Sequence, residues 1–467
     1  MCLSMLSIRC KDKMMKKITL LSSVVALAFA SAAANAKVAP AEAAKLGKEL
    51  TPYGAVMGAN ADGSIPAWKG GITAPPAGYT IGMHHPDPFS GDKVLFTITN
   101  ANKAQYAEHL TPGLIKMFET YPDTYKMNVY QTRRTASFPQ HVYDATIANA
   151  SRAELVEGGN GITGAAIGVP FPIPQNGLEA IWNHILRYRG EQTTRNGGQA
   201  VPTADGDFTY IGFDEAIAIE YSKKSATPEE LEESNILFRF KQNVTEPARL
   251  AGTALLVHET MDQVKKPRQA WTYNSGQRRV RRAPNVAYDA PGTASDGLRT
   301  TDDFDMYNGA PDRYNWELKG KKEVYIPYNS YKLHSDSLKY TDIIKPGHIN
   351  SDLVRWEKHR VWVVEATLKD GISHVYKKRT FYIDEDSWQI HIADLYDNRD
   401  ELYRVGVAYG INYYEVPTHW STLDAYYDLN SRRYIAIGLD NEQEMYDFQT
   451  EQNASDFTPA ALRRANR

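Results

Sequence analysis

The chain has 467 residues, a formal net charge of −3 and a hydrophobic fraction of 42%. This length allows two or three domains, or one large β domain with additions. The slightly acidic balance argues against nucleic-acid binding through a basic surface.

The amino-terminal segment has the pattern of a secretory signal peptide. A basic pair at residues 16–17 precedes an apolar run over 18–30, and Ala34-Asn35-Ala36 is a small-residue cleavage site. The run is too short for a membrane span of roughly 20 residues. We expect translation to start at Met14 or Met15 and cleavage to follow Ala36, so residues 1–36 are a signal peptide with an upstream start misassignment.

Cleavage changes both the cysteine content and the charge. Cys2 and Cys10 are the only cysteines, and both precede the cleavage site, so disulfides, thiolate catalysis and a lipid anchor on cysteine are excluded in the mature chain. Five basic residues and one acidic residue are removed, which leaves 48 basic against 55 acidic side chains and a net charge of −7. The expected location is the periplasm, as a soluble protein.

Residues 37–206 read as an N-terminal arm and helices packed on the body. The stretch 37–91 is irregular but contains buried-type residues, so we expect it to lie across the body. Residues 100–120 predict a helix with a break at Pro112-Gly113, and 127–143 a strand pair. Residues 177–188 predict an amphipathic helix that packs on or plugs a sheet.

From residue 207 onward the hydrophobic pattern has a period of two. Short connections predict a largely antiparallel meander, which curls because open sheets rarely exceed about 10 strands. The expected fold is mainly β with helices (α+β), a curled, incomplete antiparallel β-barrel over 207–445 with an insertion at 285–321 and a tail at 446–467. About eleven or twelve strands are predicted, near 207–222, 235–243, 250–260, 268–274, 277–283, 323–329, 354–368, 373–384, 388–398, 401–415, 419–429 and 432–439.

The hairpin over residues 268–284 sets aromatic side chains beside four arginines. One interpretation is that these arginines are the solvated charges of an edge strand. The other is that Arg279 and Arg281 reach an anionic partner at the rim, either a ligand or the acidic residues of the insertion. Those acidic residues are Asp302, Asp303 and Asp305.

Tyrosine outnumbers phenylalanine 29 to 14, which suits surfaces that are apolar on one side and wet on the other. Each aromatic of the strands could be ordinary core. As a set they exceed the needs of one closed core, so we expect them to line a concave cleft. The candidate ligand-lining residues are Trp271, Tyr273, Trp316, Tyr325, Trp362, Trp388 and Tyr396.

Catalytic and metal motifs are weak in this sequence. There is no Gly-x-Ser-x-Gly elbow, Ser-x-x-Lys pair or phosphate loop. His258-Glu259 lacks the second histidine of a zinc helix, and His84-His85 reads as a loop pair rather than a metal site. Asp384-Glu385-Asp386 reads as a turn between strands rather than an acid/base pair. We therefore expect no enzyme activity, metal or cofactor.

Several long motifs resemble an exported proteobacterial family, domain of unknown function 1329. They are Thr51-Pro-Tyr-Gly-Ala, Gly58-Ala-Asn-Ala-Asp-Gly-Ser-Ile-Pro-Ala-Trp68, the segment 170–184, Ala270-Trp-Thr-Tyr-Asn-Ser-Gly-Gln-Arg-Arg-Val-Arg-Arg282 and 381–388. The resemblance implies the fold of the lipoprotein carriers LolA and LolB, a curled, incomplete barrel with helices over an apolar concavity.

The resemblance also implies a carrier of acyl chains or other hydrophobic cargo. Three functional classes follow: a periplasmic binding or transfer protein for lipid-like or lipoprotein cargo in outer-membrane traffic, an ester hydrolase of the periplasm, or a ligand-free structural partner of an outer-membrane or efflux assembly. The expected partners are a hydrophobic or acyl ligand, an outer-membrane or transporter protein, and the membrane surface as a peripheral contact.

Overall fold

A computed structural model describes residues 38–466 apart from residues 285 and 287. The predicted signal peptide lies outside these residues. Within this part of the chain there are seventeen strands, and fifteen of them join one sheet. The strands, labelled β1 to β17 in chain order, are Phe96–Ile98, Met127–Val129, Glu154–Leu155, Ile162–Thr163, Gln192–Ala200, Tyr210–Ala218, Phe238–Val244, Ala254–Glu259, Gln269–Asn274, Arg279–Arg282, Tyr314–Pro327, Trp356–Leu368, Lys378–Asp384, Ile390–Tyr396, Leu402–Tyr413, Thr418–Asp428 and Arg433–Leu439.

The helices are short, and their ends follow local capping chemistry. The Thr111 side chain accepts from Leu114 N and caps a helix whose first residue is Pro112, so the predicted break there is observed. No helix in the described residues is both long and apolar enough to cross a membrane. The α-helices, labelled α1 to α8, are Pro40–Ala43, Pro112–Thr120, Gln140–Asn149, Gly177–Leu186, Pro228–Ser234, Tyr331–His334, Tyr340–Ile343 and Pro459–Ala465, and the 3₁₀ turns are Lys103–His109, Glu157–Gly159, Glu220–Ser222, Thr301–Met306, Pro311–Arg313, Ser351–Leu353 and Ala454–Asp456.

The fifteen-stranded sheet is curled but not closed into a barrel. Its strand order is β1-β2-β12-β13-β14-β15-β16-β17-β5-β6-β7-β8-β9-β10, and β11 also pairs with β12. Its pairings are antiparallel except for one parallel pair, Trp356 with Val129. The predicted fold class, a curled and incomplete antiparallel barrel with helices, is confirmed. Twelve strands, β6 to β17, lie beyond residue 207, in agreement with the eleven or twelve expected there, and β1, β2 and β5 add three strands to the sheet.

Strand β5 is one of the three strands of this sheet that precede residue 207. Its sequence, QTTRNGGQA, has no apolar alternation, and the sequence predicts an arm and helices rather than a sheet strand within residues 37–206. The structure places β5 in the middle of the sheet, with Ala436 of β17 on one side and Tyr210 of β6 on the other, both opposite Ala200. Neighbouring strands on both sides supply its hydrogen bonds, so the strand forms in spite of its low β propensity.

The two faces of the sheet carry different layers. Helix α4 packs on β11 and β12, and the 3₁₀ turn Thr301–Met306 packs on β14, β15 and β16. We call this the inner face. Ala408 of β15 belongs to the core on this side, whereas its neighbours Val405 and Val407 belong to the core under helix α2. Alternate side chains of β15 therefore pack into two different cores, one on each face of the sheet.

Candidate functional site

Strands β6 to β9 present two rows of side chains to the inner face. Partner positions across antiparallel strands point to the same side of a sheet. Glu215, Gln242, Leu255 and Thr272 are successive partners and form the first row. A second and more apolar row lies two residues away from the first on each strand. It consists of Ile217, Phe240, Val257 and Ala270.

A cavity of about 250 Å³ lies over these rows. Phe304, which comes from the predicted insertion, lines this cavity and also two smaller voids of about 10 and 30 Å³. The cavity has largely apolar walls with a few polar groups, the usual composition of a ligand site. Its main apolar lining residues are Phe238, Phe240, Leu255, Val257, Pro291 and Phe304.

Residue 286 and residues 288–313, the described part of the insertion that precedes β11, form a lid over this cavity. Gln199 Nε2 donates to the carbonyl oxygens of Thr293 and Ala294, each at 2.8 Å, which ties the lid to strand β5. The Phe304 ring lies 5.4 Å from that of Phe240 on the sheet. The lid therefore fills much of the space inside the curl and leaves the cavity at the β6–β9 end.

Asp305 holds the lid to the protein core. Its carboxylate accepts from Arg187 Nη2 at 2.6 Å and from Trp420 Nε1 at 3.1 Å, and it also pairs with Arg189. Burial would raise the pKa of Asp305, but Arg187 and Arg189 hold it below its ordinary value. Asp305 is thus an ionised, buried anchor with two cationic partners.

His184 makes a further connection between helix α4 and the lid. Burial and Arg187 lower its pKa to about 3, so the imidazole is neutral. Its Nε2 lies 2.8 Å from the Asp305 carbonyl oxygen, and its Nδ1 lies 3.0 Å from the Trp388 carbonyl oxygen and 3.2 Å from Ile390 N. A buried, neutral histidine therefore connects helix α4 to the lid backbone at the Asp305 anchor.

A second anchor lies at Asp302 and Asp303. Arg379 Nη2 lies 2.7 Å from an Asp302 oxygen, and His374 Nε2 lies 3.1 Å from the same oxygen. Asp303 accepts from the Tyr376 hydroxyl at 2.9 Å. Burial would raise the pKa of Asp302, but Arg379 and His374 keep it below its ordinary value. The lid is therefore held by buried ion pairs at both ends of the turn Thr301–Met306.

The expected rim contacts of the arginine hairpin are not found. Arg279 and Arg281 are exposed on the edge strand β10, and within the described residues neither guanidinium forms an ion pair. Arg281 stands opposite Thr272, a cavity residue, and Arg279 opposite Asn274. The lid carboxylates pair instead with Arg187, Arg189 and Arg379. In the sequence, Arg187-Tyr188-Arg189 directly follows the apolar, buried helix α4. This position could have been used to predict that the two arginines are buried.

Trp271 and Tyr273 lie on the face of β9 opposite to the cavity. Thr272, between them, lines the cavity, whereas Trp271 and Tyr273 pack with Phe457 and Leu462 near and within the C-terminal helix α8. The expectation that these two aromatics line the concavity does not agree with this register. The alternation of the strand was correct, but the aromatic face is the outer one.

The other predicted aromatics do not line this cavity either. Trp388 is fully buried, donates from Nε1 to the Tyr53 carbonyl oxygen at 2.9 Å and stacks on Trp362. Trp316 stacks on Phe381 at a centroid distance of 6.0 Å. The remaining two have separate surroundings: Tyr325 packs against the rings of Phe96 and Tyr106, and Tyr396 lies under the Lys378 ammonium.

One group of described residues has the side chains and spacing that a metal ion requires: His359, Asp384 and Asp386. Arg134 already donates to both oxygens of Asp386, at 2.9 and 2.7 Å. Burial would lower the pKa of His359, but Asp384 and Glu357 raise it to about 9. His359 Nε2 lies 3.2 Å from a Glu357 oxygen and its Nδ1 lies 3.6 Å from an Asp384 oxygen, so with Arg134 these side chains form a buried ion-pair network. The turn predicted at residues 384–386 is observed after β13.

The His84-His85 pair has unequal surroundings. His85 is buried, and its Nε2 lies 2.8 Å from a Glu415 oxygen while its Nδ1 lies 3.2 Å from His334 Nε2. His84 and His85 both border a surface cleft of about 770 Å³, which lies between residues 82–90 and 331–338. The cleft is more polar than the lidded cavity, so the cavity is the better site for an apolar ligand.

Comparison with known proteins identifies the family. A family model described as Protein of unknown function (DUF1329) matches residues 97–463. The Uncharacterized protein PA3922 of Pseudomonas aeruginosa is 53% identical over 448 residues, which cover 96% of this chain and 98% of that protein.

Two solved structures are also similar. A putative outer membrane lipoprotein-sorting protein domain from Vibrio parahaemolyticus is 13% identical, has a TM-score of 0.42 and covers 62% of this chain and 98% of its own. A DUF1329 family protein from Desulfovibrio piger is 14% identical, has a TM-score of 0.41 and covers 58% of this chain and 92% of its own. On the match to the family model and the Pseudomonas aeruginosa relative, this chain belongs to the DUF1329 family.

Proposed function

We propose that this protein is a periplasmic binding or transfer protein that holds a lipid-like ligand between the inner face of its sheet and the lid. The observation that carries the proposal is the cavity of about 250 Å³. Phe238, Phe240, Leu255 and Val257 give it a floor that removes alkyl groups from water. Burying apolar surface is worth roughly 25 cal/mol per Å², so such a chamber favours an alkyl chain.

The expected place of action is the periplasm, and the proposed role is carriage of hydrophobic cargo in outer-membrane traffic. The predicted signal peptide and the family resemblance support this. The intact mass of protein isolated from the periplasm of its own cells should correspond to a chain that begins at Lys37. A chain that retained Met14 and the apolar run would contradict export by cleavage.

The binding test uses a neutral alkyl ligand, decan-1-ol, titrated calorimetrically into the wild-type protein. We expect saturable binding. Thr272→Trp places a large side chain inside the cavity and should abolish binding, because the volume available to the ligand is lost. Asn274→Trp adds the same side chain at an exposed position on the same strand and should bind as the wild type does. Absence of saturable binding to the wild type would overturn the proposal.

A second candidate is the ligand-free structural partner of an outer-membrane or efflux assembly. The observation in its favour is that the lid and helix α4 occupy much of the inner face and are held there by buried ion pairs. On this alternative, decan-1-ol does not bind and Thr272→Trp changes only stability. The binding experiment therefore separates the two candidates.

The hydrolase alternative has less support. A nucleophile within hydrogen-bond distance of a histidine in the cavity would favour it. His334 Nδ1 lies 2.8 Å from Thr422 Oγ1, but both side chains are buried and neither borders the main cavity. We therefore retain binding as the proposed function.

A further inference from the structure

We propose that Arg299 binds the anionic head group of a single-chain amphiphile whose alkyl chain lies in the cavity. This inference rests on the proposed function and names the class of ligand. Arg299 lies in the lid and forms no ion pair, unlike every other buried arginine in the described part of the chain.

Seven arginines are buried in the described residues, and six of them pair with a carboxylate. Arg299, with 7% exposure, is the exception. Its Nη1 donates to the Thr300 carbonyl oxygen at 3.3 Å, and its buried Nε has no hydrogen-bond partner. A guanidinium cannot lose its charge at neutral pH, so a buried one without a counter-ion costs free energy unless an anion pairs with it. The six paired arginines are Arg134, Arg187, Arg189, Arg355, Arg379 and Arg404.

The lid backbone is shaped to accommodate this guanidinium. A Cβ atom added to Gly292 would lie 2.7 Å from Arg299 Cζ, so any other residue at 292 would displace the side chain. The same two residues are joined by a hydrogen bond from Gly292 N to the Arg299 carbonyl oxygen at 3.1 Å. Arg299 is thus held beside the cavity by the close approach of a glycine backbone.

The charges around the cavity leave one positive charge uncompensated. Its charged lining residues are Glu259, Arg268 and Arg299. Arg268 Nε donates to Glu259 at 2.6 Å, and these two charges compensate each other. The remaining charge is that of Arg299, so a ligand with a single negative charge would balance the site. The shared chemistry of such a head group is a carboxylate or phosphate, which guanidinium groups bind with paired N–H donors.

The size of the cavity limits the apolar part of the ligand. Its volume of about 250 Å³ lies below the roughly 300–1,000 Å³ usual for ligand sites. One alkyl chain of medium length suits it better than the several chains of a complete lipid. A single chain with an anionic end therefore satisfies both the apolar floor and the cation in the lid.

The test compares ligands that differ only in the head group. Decanoate, decyl phosphate and decan-1-ol are titrated separately into the wild-type protein at neutral pH. We expect at least one of the two anions to bind about tenfold or more tightly than the alcohol, since a hydrogen bond to a charged group is worth about 1.5–3 kcal/mol. The stronger of the two anions distinguishes a carboxylate ligand from a phosphate ligand.

Arg299→Gln should remove this preference, so that the affinities for the two anions fall to the level of that for decan-1-ol. Saturable binding of decan-1-ol also shows that the variant is folded. Gly292→Ala retains the charge but displaces the guanidinium, so it should weaken anion binding in the same way. Arg279→Gln removes an exposed arginine from the edge strand and is the matched control; it should keep the wild-type preference.

The outcomes separate the inference from the function on which it rests. Equal binding of the alcohol and both anions by the wild type would overturn the role of Arg299 and leave the proposed function intact. An anion preference that persists in Arg299→Gln would also overturn it. If none of the three ligands binds to the wild type, both the inference and the proposed function fail.

Discussion

Arg187 Nη2 donates to Asp305 Oδ1 at 2.6 Å, and both side chains are almost completely buried. The two residues are 118 positions apart in the chain, one just after helix α4 and the other in the lid. Their contact joins the two elements that cover the inner face of the sheet. The geometry of the cavity therefore depends on a buried ion pair rather than on the exposed arginines of the edge hairpin.

Asp305→Asn should destabilise the protein strongly. It leaves Arg187 and Arg189 buried without their counter-ion, and breaking a buried pair in this way costs about 3–5 kcal/mol. The measurement is the free energy of unfolding by denaturant. Asp296→Asn, which removes an exposed carboxylate 2.8 Å from Arg433, is the control and should cost less than about 1 kcal/mol. Equal effects of the two substitutions would contradict the anchoring role.

The lid anchors should also weaken in acid. The pKa values of Asp302 and Asp305 are lowered in the folded protein, because their arginine partners outweigh the effect of burial. Stability from these pairs is present above the unfolded pKa of about 3.9 and is lost as the pH falls towards the folded values. Denaturation measured between about pH 5 and pH 2 should show this loss. The acid-dependent part should be smaller in Asp305→Asn than in the wild type.

Asp424 should have the opposite pH dependence. It lines one of the small voids beside the lid, and burial, followed by repulsion from Asp305, raises its pKa to about 7. The folded state therefore binds a proton that the unfolded state has released, and stability falls as the pH rises from about 4 to 7. Asp424→Asn should raise the free energy of unfolding by at least about 1 kcal/mol at about pH 8, and by much less at about pH 4.

Asp336→Asn is the matched control, since Asp336 is exposed. Its effect should be small and similar at both pH values. A similar gain from Asp424→Asn at both pH values would show that the carboxylate is already ionised in the folded protein.

Trp271→Ala should cost stability without affecting ligand binding. Its ring lies on the outer face of β9 and packs near helix α8, so truncation removes apolar contacts at a cost of up to about 3–5 kcal/mol. Phe240→Ala, which removes a ring from the cavity floor, should weaken decan-1-ol binding as well. A loss of binding in Trp271→Ala at temperatures where it is folded would show that the outer face takes part in ligand binding.

Arg279→Glu and Asp303→Asn should have additive effects on stability. Arg279 is exposed and Asp303 is buried beside Tyr376, so the two residues share no contact. Arg279→Glu alone should change the free energy of unfolding by less than about 0.5 kcal/mol. A coupling energy above about 0.5 kcal/mol in the double-mutant cycle would restore the hypothesis that the hairpin ties down the lid.

Patterns in the sequence were sufficient to predict the strands of the main sheet from residue 207 onward, the helix at residues 177–188 and the family. These features are local or are carried by long motifs: a period of two marks a strand, and Asn176 with the apolar stripe behind it marks the start of a helix. The polar strand β5 has no such pattern, and only its neighbours in the sheet reveal it.

Only the folded structure shows which face of each strand is the inner one and which charged side chains form pairs. A period of two places Trp271 and Tyr273 on one face of β9 and Thr272 on the other. It does not show which of these faces lies under the lid, because both faces of this sheet are covered by apolar layers. The partner of Asp305 likewise depends on how distant segments are brought together. Coulomb attraction acts over a few ångströms in space, whereas the sequence records only distance along the chain.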